Sequence, residues 1–432
     1  MERDIPQRVM ADRGPSLPQE LCDLILDEIP TEDLSPFSFV CKNWLHTVTP
    51  RLLREFSWPP KSLEERKEHL EDDFYTRFVD LLASSPRLRG AIRTLRIGPV
   101  PSRSELVGEM RTSKCFLDLS VLFYVIEHCP SLDSLTLSGC RLRQDATPLF
   151  NKQYGCIGML ALNCPMESEA DAAPLVHAIS SFSRIDVLRL RLGSGSHRPE
   201  TPFPAQFEVG CIEDCDQYGR LAMLTTNMML EHLCATPSVS ASLRSLVTGD
   251  PLYSYLLERL GPAAERLEHV AYRVRSSILP SFDPLPSLRR LTMYTSKDQE
   301  YHSDWSSTMR DLGLAPNGLQ RVTIYLKYCH TAKAVVQEAD ALDGLQKMLL
   351  NADWAPLERF IETRPSVEAV ELRIWCSFAR QTSHYEFEAR RDVDFGRVEE
   401  IVREVVLHRL SNGTAERVTV VATSRRGVVL AQ

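Results

Sequence analysis

Few residues of this chain have the types and the spacing that catalysis or metal binding requires. Cys211 and Cys215 stand four residues apart, but no second Cys or His pair lies at the distance that a zinc site needs. The turn 193–196 reads Gly-Ser-Gly-Ser and could cradle a phosphate, yet no Gly-Lys-Ser/Thr follows it. We interpret the cysteines as plain thiols and the turn as a flexible one. The sequence therefore predicts neither a metal nor a cofactor.

Histidines and carboxylates form no recognisable catalytic set either. The eleven histidines are scattered, and none stands in an H-E-x-x-H motif or in a nucleophile elbow. The acidic residues lie mostly in runs of mixed charge, so no pair of them suggests a general acid and a general base. We expect a protein that is not an enzyme. A deep pocket with convergent polar groups would revive the enzymatic alternative, in which folding assembles the site.

Composition and charge exclude further classes of function. The 432-residue chain has a net charge of −8, from 50 Lys+Arg against 58 Asp+Glu, and it lacks the basic block that tracks a phosphate backbone. It also lacks an apolar N-terminal signal and any run of about 18 apolar residues. Nucleic acid and membrane are thus unexpected partners. Twelve cysteines without a secretory signal indicate a reducing compartment, the cytoplasm or the nucleus.

A compact apolar block at 16–56 is predicted to form three short helices, after a flexible N-terminus at 1–15. Ser16 and Gln19 have the spacing of a capping box, and Pro30 ends the first helix. The apolar face of this helix carries Leu17, Leu21, Leu24 and Ile25. The face of the third carries Phe37, Val40, Cys41, Trp44, Leu45 and Val48. Three helices of this size cannot bury these faces among themselves.

Two stretches are predicted to lie outside the packed elements. Residues 57–73 read SWPPKSLEERKEHLEDD, which we interpret as a charged linker or solvated helix at a domain boundary. The stretch 192–219 is rich in Gly, Pro and acidic residues and follows neither helical nor strand periodicity. We expect it to be a long loop, either functional or disordered.

From residue 74 to 432 a short motif recurs, in which an apolar residue is followed by two variable residues, an apolar residue, a variable residue and an apolar one. Ten copies begin at residues 92, 132, 157, 185, 243, 267, 288, 319, 367 and 415. The last two apolar positions alternate as in a strand, and helical periodicity lies between several copies. Because each helix–strand unit must stack on its neighbours to bury its apolar surface, we predict an irregular, leucine-rich-repeat-like α/β solenoid shaped like a horseshoe.

The N-terminal block resembles an F-box. The family's pattern is matched in order and spacing by Leu17-Pro18-x-Glu20-Leu21, Ile25-Leu26, Asp33-Leu34 and Val40-Cys41-Lys42-x-Trp44. The repeated order of helix, proline and strand after this block is similar to that of fungal, basidiomycete-type F-box proteins with a leucine-rich-repeat-like C-terminal domain. Examples of this order are FVDLLASSPRLRGAIRTLRIG from Phe78 and WAPLERFIETRPSVEAVELRI from Trp354.

This resemblance implies a substrate-recognition subunit of an SCF-type cullin–RING ubiquitin ligase. Its F-box would dock on a Skp-type adaptor, and its solenoid would bind an unknown protein substrate for degradation. The docking positions that the resemblance implies are Leu17, Pro18, Leu21, Ile25, Leu34, Val40 and Trp44. We expect Leu21 and Trp44 to be the anchors, and Ile29 and Cys41 to hold the helices together. The alternative is a leucine-rich-repeat-like interaction scaffold that plays no part in ubiquitination, with the helices packed inward as a cap.

Overall fold

A computed structural model gives the fold of most of the chain beyond the N-terminal block. It describes residues 21, 24–26, 29, 48, 51–58, 73–98, 116–144, 153–166, 168, 171–192, 199–214, 228–248, 254–275, 278–298, 301–302, 305–332, 337–380 and 391–423. Within this part of the chain, no helix combines the length and the hydropathy that crossing a bilayer requires.

The architecture is mixed α/β and is dominated by one large parallel sheet. Its strands follow each other across the sheet almost in chain order, β1-β2-β4-β6-β7-β8-β9-β10-β11-β13-β14, and only the short β12 and β15 run antiparallel to a neighbour. The main-sheet strands are β1 Glu55–Trp58, β2 Thr94–Ile97, β4 Ser134–Ser138, β6 Tyr154–Cys164, β7 Phe182–Leu192, β8 Glu208–Asp214, β9 Ser245–Thr248, β10 His269–Arg273, β11 Arg290–Asp298, β12 Tyr301–His302, β13 Arg321–Ala332, β14 Ala369–Arg380, β15 Arg391–Asp392 and β16 Val418–Ala422. A small parallel pair is formed by β3 Phe116–Asp118 and β5 Arg141–Arg143.

Each of the ten motif copies carries a strand, as predicted. In the copy at 288, Leu288, Leu291 and Met293 are all buried, and the last two alternate along β11. Leu291 lies opposite Val322 of β13, which occupies the same motif position in the next copy. The repeat therefore forms buried rows of side chains that run across the strands.

Helices link most of the strands and cover one face of the sheet. They are α1 Asp73–Ser84, α2 Pro86–Ala91, α3 Leu119–His128, α4 Ala172–Ser180, α5 Pro237–Ser242, α6 Ser254–Leu260, α7 Trp305–Leu314, α8 Glu338–Asn351, α9 Ala355–Thr363, α10 Phe395–Val402 and α11 Asn412–Ala415. Residues 228–234 are also helical, a 3₁₀ turn spans Gly261–Arg266, and a π-helical turn spans Arg403–Leu407. Their apolar faces and the inward strand residues form one continuous core.

The predicted long loop at 192–219 is wrong where β8 lies. This strand pairs in parallel with β7 on one side and with β9 on the other, so its backbone groups have partners in the sheet. Val209 and Ile212 are fully buried and lie opposite Ile185 and Leu188. They are the first two apolar positions of a further motif copy, whose third position is the acidic Asp214. Because this third position is not apolar, the copy was not recognised from the sequence.

The first two residues of the predicted linker at 57–73 belong to β1. This strand pairs in parallel with β2, from Glu55 opposite Thr94 to Trp58 opposite Ile97. The segment at 57–73 therefore begins with the end of an edge strand of the sheet. Residues 59–72, which contain most of the charged run, lie outside the described part of the chain.

Candidate adaptor-binding surface and the second face of the sheet

Three large apolar side chains project into solvent from the helical residues near the N-terminus. Leu21 is 46% exposed, Leu24 is 62% exposed and Ile25 is 42% exposed. A leucine or isoleucine that is shielded from water contributes about 1.5–3 kcal/mol relative to one that is left exposed. This group therefore has a substantial free energy to gain from a partner that covers it.

The opposite side of the same helical segment faces inward. Leu26 and Val48 are almost completely buried and form a small cluster of their own, against which Ile29 and Leu52 pack. Ile29 thus contacts the internal side, where we expected it. One side of this segment holds the helices together while the other remains exposed, which is the arrangement of a docking element.

The predicted docking positions are only partly described. Leu21 and Ile25 belong to the exposed group. The other predicted positions, Leu17, Pro18, Leu34, Val40 and Trp44, lie outside the described residues, and so does Cys41. Leu24 is the most exposed member of the group, but it was not among the predicted docking positions. Its place on the helical face with Leu21 and Ile25 was the available signal.

Comparison with known families decides the identity of this block. Residues 15–55 match the F-box domain. The chain carries an F-box. No curated protein matches the chain. F-box domains usually bind Skp-type adaptors of cullin–RING ligases, and the proteins that carry them are generally non-catalytic adaptors. The domain therefore suggests a role in substrate recognition by an SCF-type ubiquitin ligase.

The end of the F-box runs directly into the sheet. Glu55, the last matched residue, opens β1, and the carbonyl oxygen of Arg54 accepts hydrogen bonds from the backbone amides of Arg93 and Thr94. Phe56 and Trp58 stack on the fully buried Phe78 of α1, with ring centroids 6.0 and 5.2 Å away. Aromatic stacking and strand pairing thus join the F-box to the rest of the molecule.

The face of the main sheet turned away from the core, which we call the second face, carries a different set of side chains. Tyr294, Tyr325 and Trp375 form an apolar cluster that is separate from the core. The rings of Tyr294 and Tyr325 lie 5.0 Å apart, and the guanidinium of Arg373 donates to the Tyr325 hydroxyl over 2.9 Å. Lys327 lies 5.2 Å above the Trp375 ring. Cations and aromatic rings therefore alternate on this face.

A hydrogen-bonded row crosses three strands of the second face. The His269 imidazole bridges the Ser245 hydroxyl, 2.9 Å from Nδ1, and the Thr292 hydroxyl, 3.0 Å from Nε2. Burial lowers the pKa of His269 to about 4, and the charge of Arg290 acts in the same direction. A general base for neutral pH needs a pKa nearer 7. This histidine is therefore suited to joining strands and poorly suited to proton transfer.

Where the structure describes them, the candidate metal and thiol residues show no arrangement for chemistry. No group of three or more His, Cys, Asp and Glu in the described chain could hold a metal ion. Cys211 lies in β8, and burial raises the pKa of its thiol to about 11, which disfavours the reactive thiolate. Cys215 and the turn at 193–196 lie outside the described residues.

An apolar cavity lies between α7, α8 and α9. Its volume is about 580 Å³, and its described lining contains no histidine and no cysteine. The indole nitrogens of Trp305 and Trp354 donate to the backbone carbonyls of Asp353 and Leu349, at 2.7 and 3.0 Å. These contacts fix the two rings as cavity walls.

Proposed function

We propose that this protein is the target-recognition subunit of an SCF-type cullin–RING ubiquitin ligase. In this proposal the F-box docks on a Skp-type adaptor, and the sheet-bearing part, residues 74 to 432, binds the protein to be modified. The observation that carries it is the F-box at 15–55 together with the exposed Leu21, Leu24 and Ile25. The chain performs no bond chemistry of its own. It raises the effective concentration of the target beside the transferring enzyme.

The adaptor would bury the exposed leucines and isoleucine in a desolvated patch. The docking positions that we propose are Leu17, Pro18, Leu21, Ile25, Leu34, Val40 and Trp44, with Leu24 added from its exposure. Leu21 and Trp44 would be the anchors, because large residues at the centre of an interface carry most of its binding free energy.

The strand order supports an extended repeat architecture for the target-binding part. Ten motif copies place consecutive strands side by side, and such stacking produces curved solenoids with long binding surfaces. We therefore propose a leucine-rich-repeat-like solenoid of the fungal, basidiomycete type. The described cysteines are free thiols, which suits the cytoplasm or the nucleus, where we propose that the protein acts.

The docking proposal can be tested with Leu21→Asp combined with Ile25→Asp. The Kd for a Skp-type adaptor should rise by about tenfold or more, because two charges would replace apolar contacts in the interface. Leu17→Ala combined with Pro18→Ala should act in the same direction. Calorimetric titration of the purified full-length chain with the adaptor measures this change.

The matched control is Leu279→Asp combined with Leu350→Asp. These leucines are 64% and 43% exposed but lie in the sheet-bearing part, so adaptor binding should remain that of the wild type. If the Leu21/Ile25 variant bound the adaptor with the wild-type affinity, these residues would not belong to the docking surface. A wild-type chain that binds no adaptor would instead favour the scaffold alternative.

A further inference from the structure

The second face of the sheet is basic, although the chain as a whole is acidic. Alternation along the strands places these charged side chains on it: the basic Arg96, Arg189, Arg191, Arg273, Arg290, Arg321, Lys327 and Arg373, and the acidic Glu55, Glu213, Glu371 and Asp392. The net charge of the chain is −8. The fold therefore gathers positive charge on one surface, and this local field would attract negatively charged groups.

Several of these charges are already engaged within the protein. The Arg189 guanidinium donates to the Glu213 carboxylate over 2.7 Å, and Arg373 pairs with Glu371 over 3.0 Å. Lys327 lies over the Trp375 ring. These residues shape the surface, but their existing contacts make them weaker candidates for direct binding of an external anion.

Arg290 and Arg321 are different, because they are two like charges placed side by side. They are exposed and lie directly opposite each other on β11 and β13. Adjacent strands are about 4.8 Å apart, and like charges in opposite positions destabilise a sheet. Among the described residues, no carboxylate forms an ion pair with either guanidinium. The protein thus keeps an unfavourable pair that an external carboxylate would convert into a favourable one.

The neighbours of the pair along the two strands are first polar and then aromatic. The next second-face residues along the same strands are the small Thr292 and Thr323, followed by Tyr294 and Tyr325. Arg290 also lies directly opposite His269 of β10. The guanidinium pair therefore lies beside two threonines and, beyond them on β11, the partly exposed ring of Tyr294.

We propose that Arg290 and Arg321 bind an acidic segment of the target protein, through its Asp or Glu side chains, on the second face of the sheet. This inference rests on the proposed function, since it names the chemistry of the target that the ligase subunit would recognise. A carboxylate between the two guanidinium groups would accept charge-assisted hydrogen bonds from both. An adjacent apolar side chain of the segment could pack on Tyr294.

Charge complementarity favours an acidic protein segment over nucleic acid. Glu213 and Glu371 lie on the same face, and the acidic chain around it would repel a long polyanion. A short segment with separated carboxylates can meet the arginine pair and avoid these glutamates. Nucleic acid is accordingly the competing outcome of the test.

The experiment measures fluorescence anisotropy of a short fluorescein-labelled peptide of alternating Asp and Gly, titrated with the full-length chain in complex with its adaptor. The wild type should bind it, and added salt should weaken the binding. Arg290→Glu combined with Arg321→Glu should raise the Kd by about tenfold or more, because each lost charge-assisted hydrogen bond contributes on that order. Arg290→Gln combined with Arg321→Gln should give an intermediate Kd.

The matched control is Arg359→Glu combined with Arg409→Glu, which changes the net charge equally at exposed positions of the helical layer and should leave the Kd unchanged. No binding of the acidic peptide by the wild type, or an equal loss in both double variants, would overturn the proposal. Tighter binding of a single-stranded oligonucleotide with the same arginine dependence would also overturn it. Adaptor affinity of the Arg290/Arg321 variant is measured in parallel, so that a failed docking function is distinguished from a failed target site.

Discussion

At the scale of single residues, polar groups on the second face act as ties between strands. Ser245, His269 and Thr292 belong to three successive strands and satisfy one another through the imidazole. A histidine between two hydroxyls could be mistaken for part of a catalytic relay. Both of its ring nitrogens are engaged, however, and burial lowers its pKa to about 4. The neutral imidazole is therefore part of the stability of the sheet.

This arrangement predicts an acid sensitivity that His269→Gln should reduce. The pKa of an unfolded histidine is about 6.5, so between pH 6.5 and 4 the unfolded chain takes up a proton that folded His269 does not. The stabilisation is fully present above pH 6.5 and is lost as the pH falls towards 4, by up to about 3 kcal/mol. Urea midpoints at pH 7, 5.5 and 4.5 should therefore fall less steeply in the variant. His408→Gln, at an exposed position, is the control, and equal slopes in all three proteins would contradict the assignment.

At the scale of elements, the turns that follow the strands constrain the sheet as strongly as the strands do. Gly98 directly follows β2 and has a φ of +106°, and its amide donates to the carbonyl oxygen of Trp58 over 2.7 Å. A Cβ on this residue would lie 1.9 Å from the Ser138 carbonyl oxygen. Only glycine allows the backbone to pass this close to the next repeat.

We therefore predict that Gly98→Ala destabilises the protein. Backbone strain alone costs about 1–3 kcal/mol, and the clash adds to it. Gly90→Ala is the matched control, because Gly90 lies in α2 and a Cβ there would have no heavy atom within 4 Å. That change should be neutral or stabilise by up to about 1 kcal/mol. Thermal unfolding followed by circular dichroism compares the two. A Gly98→Ala variant as stable as the wild type would show that the turn can relax.

The sequence predicts strands well where the repeated apolar pattern is complete, and poorly where one residue departs from that pattern. All ten motif copies form strands, because their mostly apolar positions are buried when neighbouring copies stack. The strand β8 was missed because Asp214 replaces the third apolar residue. The pair of Arg290 and Arg321 could not be predicted from the sequence for another reason. Arg290 and Arg321 are distant in sequence, and only the parallel register brings them side by side.

At the scale of the whole molecule, the two proposed binding regions belong to one continuous framework. The exposed Leu21, Leu24 and Ile25 precede β1, and β1 is an edge strand of the sheet that carries Arg290 and Arg321 on its second face. A ligase subunit must hold its target at a productive distance from the transferring enzyme. Strand pairing between β1 and β2, with the aromatic stack on Phe78, supplies such a connection without a free linker at 55–58.

Phe78→Ala should loosen this connection and leave the proposed binding residues intact. Phe78 is fully buried against Phe56 and Trp58, and loss of a buried phenylalanine costs about 3–5 kcal/mol. Limited proteolysis should cleave the variant faster within 51–58, whereas the strands from β11 to β14 should stay protected and adaptor binding should persist. Phe395→Ala, at a residue that is 42% exposed, should keep the wild-type cleavage pattern. If Phe78→Ala also keeps that pattern, strand pairing alone holds the junction and the aromatic stack is dispensable.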